Sequence, residues 1–381
     1  MSVHSSVPPT IARLVGDPPV SRSRRAGRAG AASMIAGGGV RGGSGTGAGV
    51  PHPIAASSTS AGRATRRLSP IGARRALPRG PAACKAAHLP PSAAERIVLS
   101  LPRGAFHALA WGDPDAPPLL WLHGFPDHPP TAAPFLARLA LSRRVIAPWL
   151  RGYAPSPLAG PYDLDTLAAD AVAILDEIAG AAGERAGAPA GGVDLVGHDW
   201  GAAIAYRVCA TAPARVRRAV TLALPHPLTL LRALGGPAQL RRSWYMLLFQ
   251  VPGAERIARA RGLALIDRLW RSWSPRFELD GGSRAELHAC LEASLPAPLE
   301  YYRAMVRPLA GLRARIARWP SPIETPLLQL HGADDGCVLP PGDRDGRHFV
   351  ERVLEIIPNT GHFLHLEQPA AIAERVTAWL A

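Results

Sequence analysis

The sequence predicts an α/β protein in which helices wrap an eight-stranded, mostly parallel sheet. From about residue 95, short apolar runs alternate with segments of helical periodicity, which is typical of parallel sheets with crossover helices. The alternation stops after Leu224 and resumes at Pro326, so a helical insertion interrupts the sheet. With 381 residues and 47% apolar residues, the chain can bury a large core.

Eight apolar runs are the candidate strands, and they cover residues 97–101, 106–111, 119–122, 145–148, 193–196, 219–224, 327–330 and 353–357. After the fourth strand, apolar residues recur at helical spacing from Leu164 to Ile178, and Asp163 is placed to cap that helix. The segment between the sixth and seventh strands contains no convincing strand and is typical of Arg-rich amphipathic helices. We therefore expect a first core part over 91–225, a helical cap over 226–320 and a second core part over 321–381.

The first 90 residues differ from the rest in composition. They contain twelve Arg, one Lys and a single acid, so they carry +12 of the formal net charge of +14. No aromatic residue precedes Phe106, and a segment so rich in Gly, Ser, Ala, Pro and Arg cannot bury enough surface to fold alone. We predict that residues 1–90 are a disordered basic tail. Because the remaining chain is nearly neutral, the high charge does not indicate an acidic substrate.

Three explanations of this tail remain. A nucleic-acid-binding arm usually has stacking aromatic residues, which this tail lacks, and an organelle-targeting segment usually has an amphipathic stretch. A translated upstream region from a misplaced start codon fits a chain with one Lys and 42 Arg, a bias typical of GC-rich genomes. We favour this third explanation and expect no nucleic-acid partner.

Membrane, export and redox signals point to a cytoplasmic protein. No apolar run approaches the ~20 residues of a membrane span, and no signal-peptide core is present, so we expect no membrane partner. The cysteines lack the spacing of disulfide pairs or metal ligands, which fits a reducing compartment and predicts no metal site. They are Cys84, Cys209, Cys290 and Cys337.

A carboxylate stands on a glycine-flanked turn after the fifth candidate strand. Residues 193–202 read VDLVGHDWGA, with Asp199 between Gly197 and Gly201. Small flanking residues tolerate the strained backbone of a nucleophile elbow, which lifts one side chain above the sheet. An Asp with a pKa of about 4 is ionised at neutral pH and can attack an electrophilic carbon to form an ester. The alternative is that Asp199 only caps the helix that follows a core strand.

Two later segments supply the partners that such a nucleophile needs. Residues 330–337 end the seventh strand with two adjacent acids, and residues 359–363 place a histidine after the last strand. Nucleophile, acid and histidine follow in the order that enzymes with this elbow use. We assign the acid to Asp335, with Asp334 as the alternative, and the general base to His362. Each could be structural alone, but their joint order favours a catalytic set.

The segment LWLHGFP at residues 120–126 ends the third strand and opens a loop. Gly124 permits close backbone approach there, so the amides of Phe125 and Trp200 can form an oxyanion hole. Around these motifs we also expect four substrate-binding residues, namely His123, Pro126, Trp200 and Trp244.

The HGFP and GHDWG segments, the order of acid and histidine, and the helical insertion resemble the epoxide hydrolase branch of the α/β-hydrolases. The resemblance covers about residues 95–381. It implies the α/β-hydrolase fold and hydrolysis of an epoxide by water to a vicinal diol, with no metal or organic cofactor. It also implies two cap tyrosines that hold the epoxide oxygen. Tyr245 in segment 243–253 resembles the first, and Tyr302 resembles the second with Tyr301 as its alternative, although these tyrosines could also be core aromatics.

Two positions depart from the pattern of that family. Trp149 stands before Arg151 in PWLRGY, where the family commonly has an acid, and Ala202 replaces a second glycine at the end of the elbow. The first departure is expected to change which residues stabilise the loop around Arg151. Neither position has a catalytic role.

Other functions use some of the same residues. A haloalkane dehalogenase shares the Asp nucleophile and the following Trp, but it often has Asn at the position of Phe125 or a cap Trp and needs no paired tyrosines. A fluoroacetate-type dehalogenase usually has Arg at the position of Trp200. A non-catalytic ligand-binding protein needs no aligned triad. A nucleic-acid-associated protein would show salt-sensitive binding that vanishes when residues 1–90 are removed.

Overall fold

The computed structural model describes residues 94–186, 192–317, 319 and 322–381, so the tail expected over 1–90 lies outside the described residues. All eight candidate strands are confirmed, with ends that differ by at most three residues. The strands are β1 Glu95–Leu101, β2 Gly104–Trp111, β3 Pro118–Leu122, β4 Arg144–Pro148, β5 Val193–His198, β6 Val216–Leu222, β7 Leu327–Gly332 and β8 Arg352–Ile357.

The strands form one sheet in the order β1-β2-β4-β3-β5-β6-β7-β8. Strand β2 pairs antiparallel with both β1 and β4, and all other neighbours are parallel. Every residue of β3 and β5 is buried, because helices cover both faces of the sheet at its centre. This confirms the expected fold class and explains why these strands are continuous apolar runs.

The helices are α1 Ala133–Leu139, α2 Leu164–Ala186, α3 Trp200–Thr211, α4 Pro227–Ala233, α5 Pro237–Arg242, α6 Trp244–Leu248, α7 Ala254–Trp273, α8 Gly281–Ser294, α9 Ala297–Val306, α10 Leu312–Ala317, α11 Leu364–Glu367 and α12 Pro369–Leu380. Helices α4–α10 lie between β6 and β7, and we call this insertion the cap. Its boundaries at residues 226 and 320 stay a prediction. Across the described ranges, none of the helices combines the length and the hydropathy that a membrane crossing requires.

Helix α7 is two helical pieces joined by a kink. Residues 260–263 leave the helical conformation, and Arg261, Gly262 and Leu263 have φ values of 53°, 61° and 62°. This left-handed backbone is rare for residues with a side chain and changes the direction of the chain. The second piece carries Trp270 and Trp273 to the carboxyl end of the sheet, where both rings are buried.

A buried ion pair supports the loop after β4, where the sequence departs from the family pattern. The guanidinium of Arg151 donates two hydrogen bonds to Asp170 of α2, at 2.6 and 2.9 Å. Both residues are about 5% exposed or less. The acid that supports this loop therefore comes from α2, whereas Trp149 is a buried core residue.

Replacing Asp170 by Asn should lower the free energy of unfolding by about 3 kcal/mol, because the buried charge of Arg151 would lose its carboxylate partner and keep only backbone carbonyls. Urea unfolding measures this change. Asp176→Asn is the matched control, since its ion pair with Arg215 is about half exposed on both sides and contributes less than about 1 kcal/mol. Equal losses in the two variants would contradict the prediction.

Candidate active site

Asp199 occupies a tight turn between β5 and α3. Its backbone has φ 51° and ψ −115°, and its side chain makes no capping hydrogen bond to α3, so the capping alternative is wrong. A Cβ atom at Gly197 would overlap the carbonyl of Gly201, and one at Gly201 would overlap the carbonyl of Leu122. Both glycines are therefore required by close backbone packing, as expected for a nucleophile elbow.

The two oxygens of the Asp199 carboxylate face different groups. Oδ1 accepts a hydrogen bond from the amide of Phe125 at 2.9 Å. Oδ2 lies 3.6 Å from Nε2 of His362. Trp200 opens α3, where the first amides have no acceptor within the helix. One oxygen thus faces the expected oxyanion amide, and the other faces the expected base.

The acid that contacts His362 is Asp335. Nδ1 of His362 and Oδ2 of Asp335 are 3.0 Å apart, and Oδ1 of Asp335 accepts the amides of Cys337 and Val338 at 2.7 and 2.9 Å. The neighbouring Asp334 points outward instead and forms an exposed ion pair with a cap arginine. The structure thus brings Asp335, and not Asp334, to the histidine.

The charges of this cluster depend on one another. Burial alone would lower the pKa of His362, but the carboxylates of Asp335 and Asp199 outweigh burial and raise this pKa to about 10. Burial alone would raise the pKa of Asp335, but His362 and His331 hold it below its usual range. At neutral pH, His362 is therefore an imidazolium between two carboxylates.

This ion-pair arrangement predicts how stability depends on pH. The folded chain keeps the His362 proton up to about pH 10, whereas the unfolded chain releases it near its ordinary pKa of 6.5. The contribution of His362 is thus complete below pH 6.5 and is lost as the pH rises to about 10. In thermal unfolding, the Tm of the wild type should fall relative to a His362→Gln variant across this window. A constant difference in Tm would contradict the prediction.

Two cap tyrosines lie close to the elbow. Tyr245 of α6 and Tyr302 of α9 are fully buried, with ring centroids 5.6 Å apart, and the Tyr302 ring is 5.2 Å from the ring of Trp200. Oη of Tyr245 is 3.3 Å from Sγ of Cys337. Oη of Tyr302 makes no hydrogen bond of normal geometry to a described residue. Burial raises the pKa of both hydroxyls, so both are protonated donors at neutral pH.

Tyr301 has a different role from its neighbour. Its hydroxyl donates a hydrogen bond to the carbonyl of Arg151, so it ties α9 to the loop after β4. Its ring packs edge-on against Trp200, with centroids 5.3 Å apart. Of the two adjacent tyrosines, Tyr302 is therefore the one whose hydroxyl faces Trp200 and Tyr245 and is not held by a backbone carbonyl.

A cavity of about 230 Å³ reaches the elbow. Asp199, Trp200 and the two tyrosines of α9 contribute to its wall. Most of the remaining lining is apolar and comes from the cap, including Leu228, Leu231, Met246, Met305 and Val306. A largely apolar small molecule therefore fits beside the carboxylate.

Two of the expected substrate-binding residues hold the backbone instead. His123 donates from Nδ1 to the carbonyl of Gly124 at 2.9 Å and accepts the amide of Leu150 at Nε2 at 3.1 Å. The carbonyl of Pro126 accepts Nε1 of Trp270 at 3.0 Å. Neither residue is among those that line the cavity, and these contacts fix the loop, so a contact of either residue with substrate stays a prediction.

Trp244 also lies outside the cavity lining. It is 36% exposed, and the guanidinium of Arg268 lies 5.3 Å from its ring centroid. Tyr245 is also not among the residues that line this cavity, but its ring lies 5.6 Å from the ring of Tyr302, which does line it. Of the four expected substrate-binding residues, only Trp200 lines the cavity.

The sequence did not reveal how the cap contacts the triad loops. The carbonyl of Trp273, the last residue of α7, accepts the amides of Gly336 and His362 at 3.1 and 3.0 Å. The hydroxyl of Ser274 accepts the amide of Phe363 at 3.0 Å. Gly336 and the glycine before His362 were the available signals, since a Cβ at either position would collide with this end of α7.

Comparisons with known proteins agree with this architecture. The model of the alpha/beta hydrolase family matches residues 119–375. Mouse epoxide hydrolase 3 is 29% identical over 293 residues, covering 72% of this chain and 73% of the mouse protein. A solved structure of novel epoxide hydrolases from metagenomes of hot environments is 25% identical, with a TM-score of 0.62. The match covers 75% of this chain and 98% of that one.

An epoxide hydrolase of Bacillus megaterium, solved with an inhibitor, has the same fold at 21% identity. Its TM-score is 0.63, with coverage of 74% of this chain and 99% of that one. The family model covers well over half of the chain, and the sheet order and elbow agree with it. The chain therefore belongs to the alpha/beta hydrolase family.

Proposed function

We propose that this hydrolase opens an epoxide by forming an ester on Asp199 and then hydrolyses the ester to a vicinal diol. The observation that carries the proposal is the juxtaposition of this carboxylate with two buried, protonated tyrosine hydroxyls of the cap. The relatives that are named epoxide hydrolases support the same reaction.

In the first step, Oδ2 of Asp199 attacks one ring carbon while the carbon–oxygen bond of the ring breaks. Oδ1 already accepts the Phe125 amide, which favours Oδ2 as the nucleophile. Tyr245 and Tyr302 donate hydrogen bonds to the departing oxygen and stabilise its developing charge. The position of the Tyr302 hydroxyl beside Tyr245 and near the Asp199 carboxylate supports this role.

Ester formation changes the charge beside the base. The negative charge of Asp199 helps to raise the pKa of His362. An ester carries no such charge, so the pKa of His362 falls, and the proton that the imidazolium gives up neutralises the alkoxide left by ring opening. The first step thereby converts His362 into the neutral imidazole that the second step requires.

In the second step, His362 takes a proton from water, and the resulting hydroxide attacks the ester carbonyl. Asp335 stabilises the imidazolium that forms. The oxyanion develops on Oδ1, where the amide of Phe125 points, and the amide of Trp200 is the second expected donor. Collapse breaks the acyl–oxygen bond between the carbonyl carbon and Oδ2, and His362 gives its proton to the departing alkoxide to complete the diol. The proton of the hydroxyl added to Asp199 then passes to His362, which regenerates the carboxylate and the imidazolium.

Haloalkane dehalogenation is the second candidate, because it uses the same nucleophile. A halide needs N–H donors beside the reacting carbon. The indole N–H of the cap residue Trp270 is committed to the Pro126 carbonyl, whereas tyrosine hydroxyls lie near the elbow. These contacts favour an oxygen leaving group over a halide. A ligand-binding protein without catalysis would not need the aligned acid and base.

The test is a turnover assay of the purified chain with styrene oxide and a long-chain aliphatic epoxide. Diol formation is compared for the wild type and Tyr245→Phe, with a bromoalkane assayed in parallel for halide release. Diol from the wild type and a large loss in the variant are expected. Halide release that exceeds diol formation would instead favour the dehalogenase.

A further inference from the structure

A second cluster of buried polar side chains contacts the backbone of His362. It consists of Asp127 from the loop after β3, His198 at the end of β5 and His365 in α11, and all three are fully buried. Each offers one oxygen or nitrogen atom, and these three atoms all lie within 4.8 Å of one another. The cluster belongs to no step of the proposed reaction.

Several atoms of this cluster have no hydrogen-bond partner in the described part of the chain. They are Oδ2 of Asp127, Nδ1 of His198 and both ring nitrogens of His365. A buried polar atom without a partner destabilises a fold, and most such atoms in proteins are paired. Their convergence on one point is the pattern expected for ligand donors.

The remaining atoms of the cluster are held as the ligands of a metal ion usually are. Nε2 of His198 donates to the carbonyl of His362 at 3.0 Å, which leaves Nδ1 as a lone-pair donor. Oδ1 of Asp127 accepts the amide of His128 at 2.8 Å and the hydroxyl of Thr131, which leaves Oδ2 available. A ligating histidine commonly donates its other ring nitrogen to a carbonyl, and ligating carboxylates are commonly hydrogen-bonded as well.

We propose that Asp127, His198 and His365 bind one divalent transition-metal ion such as Zn²⁺. Two imidazole nitrogens and one carboxylate oxygen are a common donor set for such ions. Bond lengths of about 2.0–2.2 Å place the ligand atoms of a tetrahedral site about 3.4 Å apart, so each side chain would move by less than about 1 Å.

The ion would have a structural effect on the catalytic machinery. Asp127 follows Phe125 by two residues, His198 precedes Asp199 directly, and His365 follows His362 by three residues. The ion therefore cross-links the segments that carry the oxyanion amide, the nucleophile and the base. Because it contacts none of the reacting atoms, this inference does not depend on the identity of the substrate.

A second group of potential metal ligands lies among the catalytic residues, and the experiment must distinguish metal binding there from binding at the proposed site. Asp199, Cys337 and His362 also bring ligand atoms within 4.8 Å of one another, but this set contains a thiol. Cobalt(II) separates the two, because thiolate ligands add near-ultraviolet charge-transfer absorption, whereas nitrogen and oxygen ligands show only visible d–d bands.

The experiment uses the full chain without an affinity tag, treated with EDTA and then titrated with Co²⁺. Three proteins are compared, namely the wild type, His365→Leu and the control Cys337→Val. We expect the wild type and Cys337→Val to bind one equivalent, with d–d bands, without thiolate absorption and with a higher Tm. His365→Leu should bind Co²⁺ at least about 100-fold more weakly. Loss of a residue that only hydrogen-bonds a metal ligand already lowers metal affinity by about 10- to 100-fold, and loss of a ligand itself should cost more.

Absence of binding by the wild type would overturn the proposal. So would thiolate absorption that disappears in Cys337→Val while His365→Leu binds normally. If His365→Leu fails to fold, crystals of the wild type soaked in Zn²⁺ decide by anomalous scattering at the zinc edge. A peak between Asp127, His198 and His365 is expected, and a peak elsewhere or none would refute the site.

Discussion

The His362→Gln variant should accumulate as a covalent ester when it is mixed with styrene oxide. Attack by the Asp199 carboxylate needs no base, whereas hydrolysis of the ester requires one, so only the second step stops. Mass spectrometry of the intact protein should show the added mass of one substrate molecule per chain. Steady-state turnover should fall at least about 100-fold, the usual contribution of a general base.

Two comparisons make this test specific. Asp199→Ala should form no adduct, and an adduct in that variant would contradict the assignment of the nucleophile. Asp335→Asn should slow ester hydrolysis, because Asp335 contacts the base at 3.0 Å. Asp334→Asn should retain turnover within a few-fold, because its carboxylate lies in an exposed ion pair. Equal effects of these adjacent substitutions would argue against the triad.

The Tyr302→Phe variant should form the ester about 100-fold more slowly than the wild type, as expected when one donor to a developing oxyanion is removed. The ring and its packing are retained, so the loss reports on the hydroxyl alone. The rate of adduct formation in single-turnover experiments on a His362→Gln background measures the step directly.

Tyr301→Phe is the matched control, since it removes a hydroxyl from the adjacent residue of the same helix. That hydroxyl bonds the Arg151 carbonyl and is unavailable to substrate. Its loss should reduce stability more than the rate of ester formation. A larger loss of rate in Tyr301→Phe than in Tyr302→Phe would reverse the assignment of the second tyrosine.

Features formed by one continuous segment were predictable from the sequence. The buried strands are apolar runs, and the elbow requires two glycines at fixed offsets from Asp199, so both were identified correctly. The choice between Asp334 and Asp335 required coordinates, because adjacent residues at a strand end differ only in direction. The expectation that Trp244 faces the cavity was wrong for a related reason. Helix α6 has only five residues, too few for the sequence pattern to show which side of the helix faces the site.

Features assembled from distant segments were not predictable. Leucine and methionine residues of α4 and α9 line the cavity, but apolar residues at helical spacing are equally typical of a core. The cluster of Asp127, His198 and His365 was hidden in the same way, because its members come from a loop, a strand end and a helix that are all more than 70 residues apart in the sequence. Motif spacing detects ligands only when they share a local segment.

The hydrogen bonds that the Trp273 carbonyl accepts from the amides of Gly336 and His362 couple the end of α7 to the catalytic loops. Swinging the whole cap outward would break these bonds and displace the base from the nucleophile. We therefore expect a substrate to reach the elbow without an outward swing of the whole cap, while the end of α7 stays in place. In domain-exchange experiments, a foreign cap would need a compatible α7 terminus, so cap and triad loops should be transplanted as one unit.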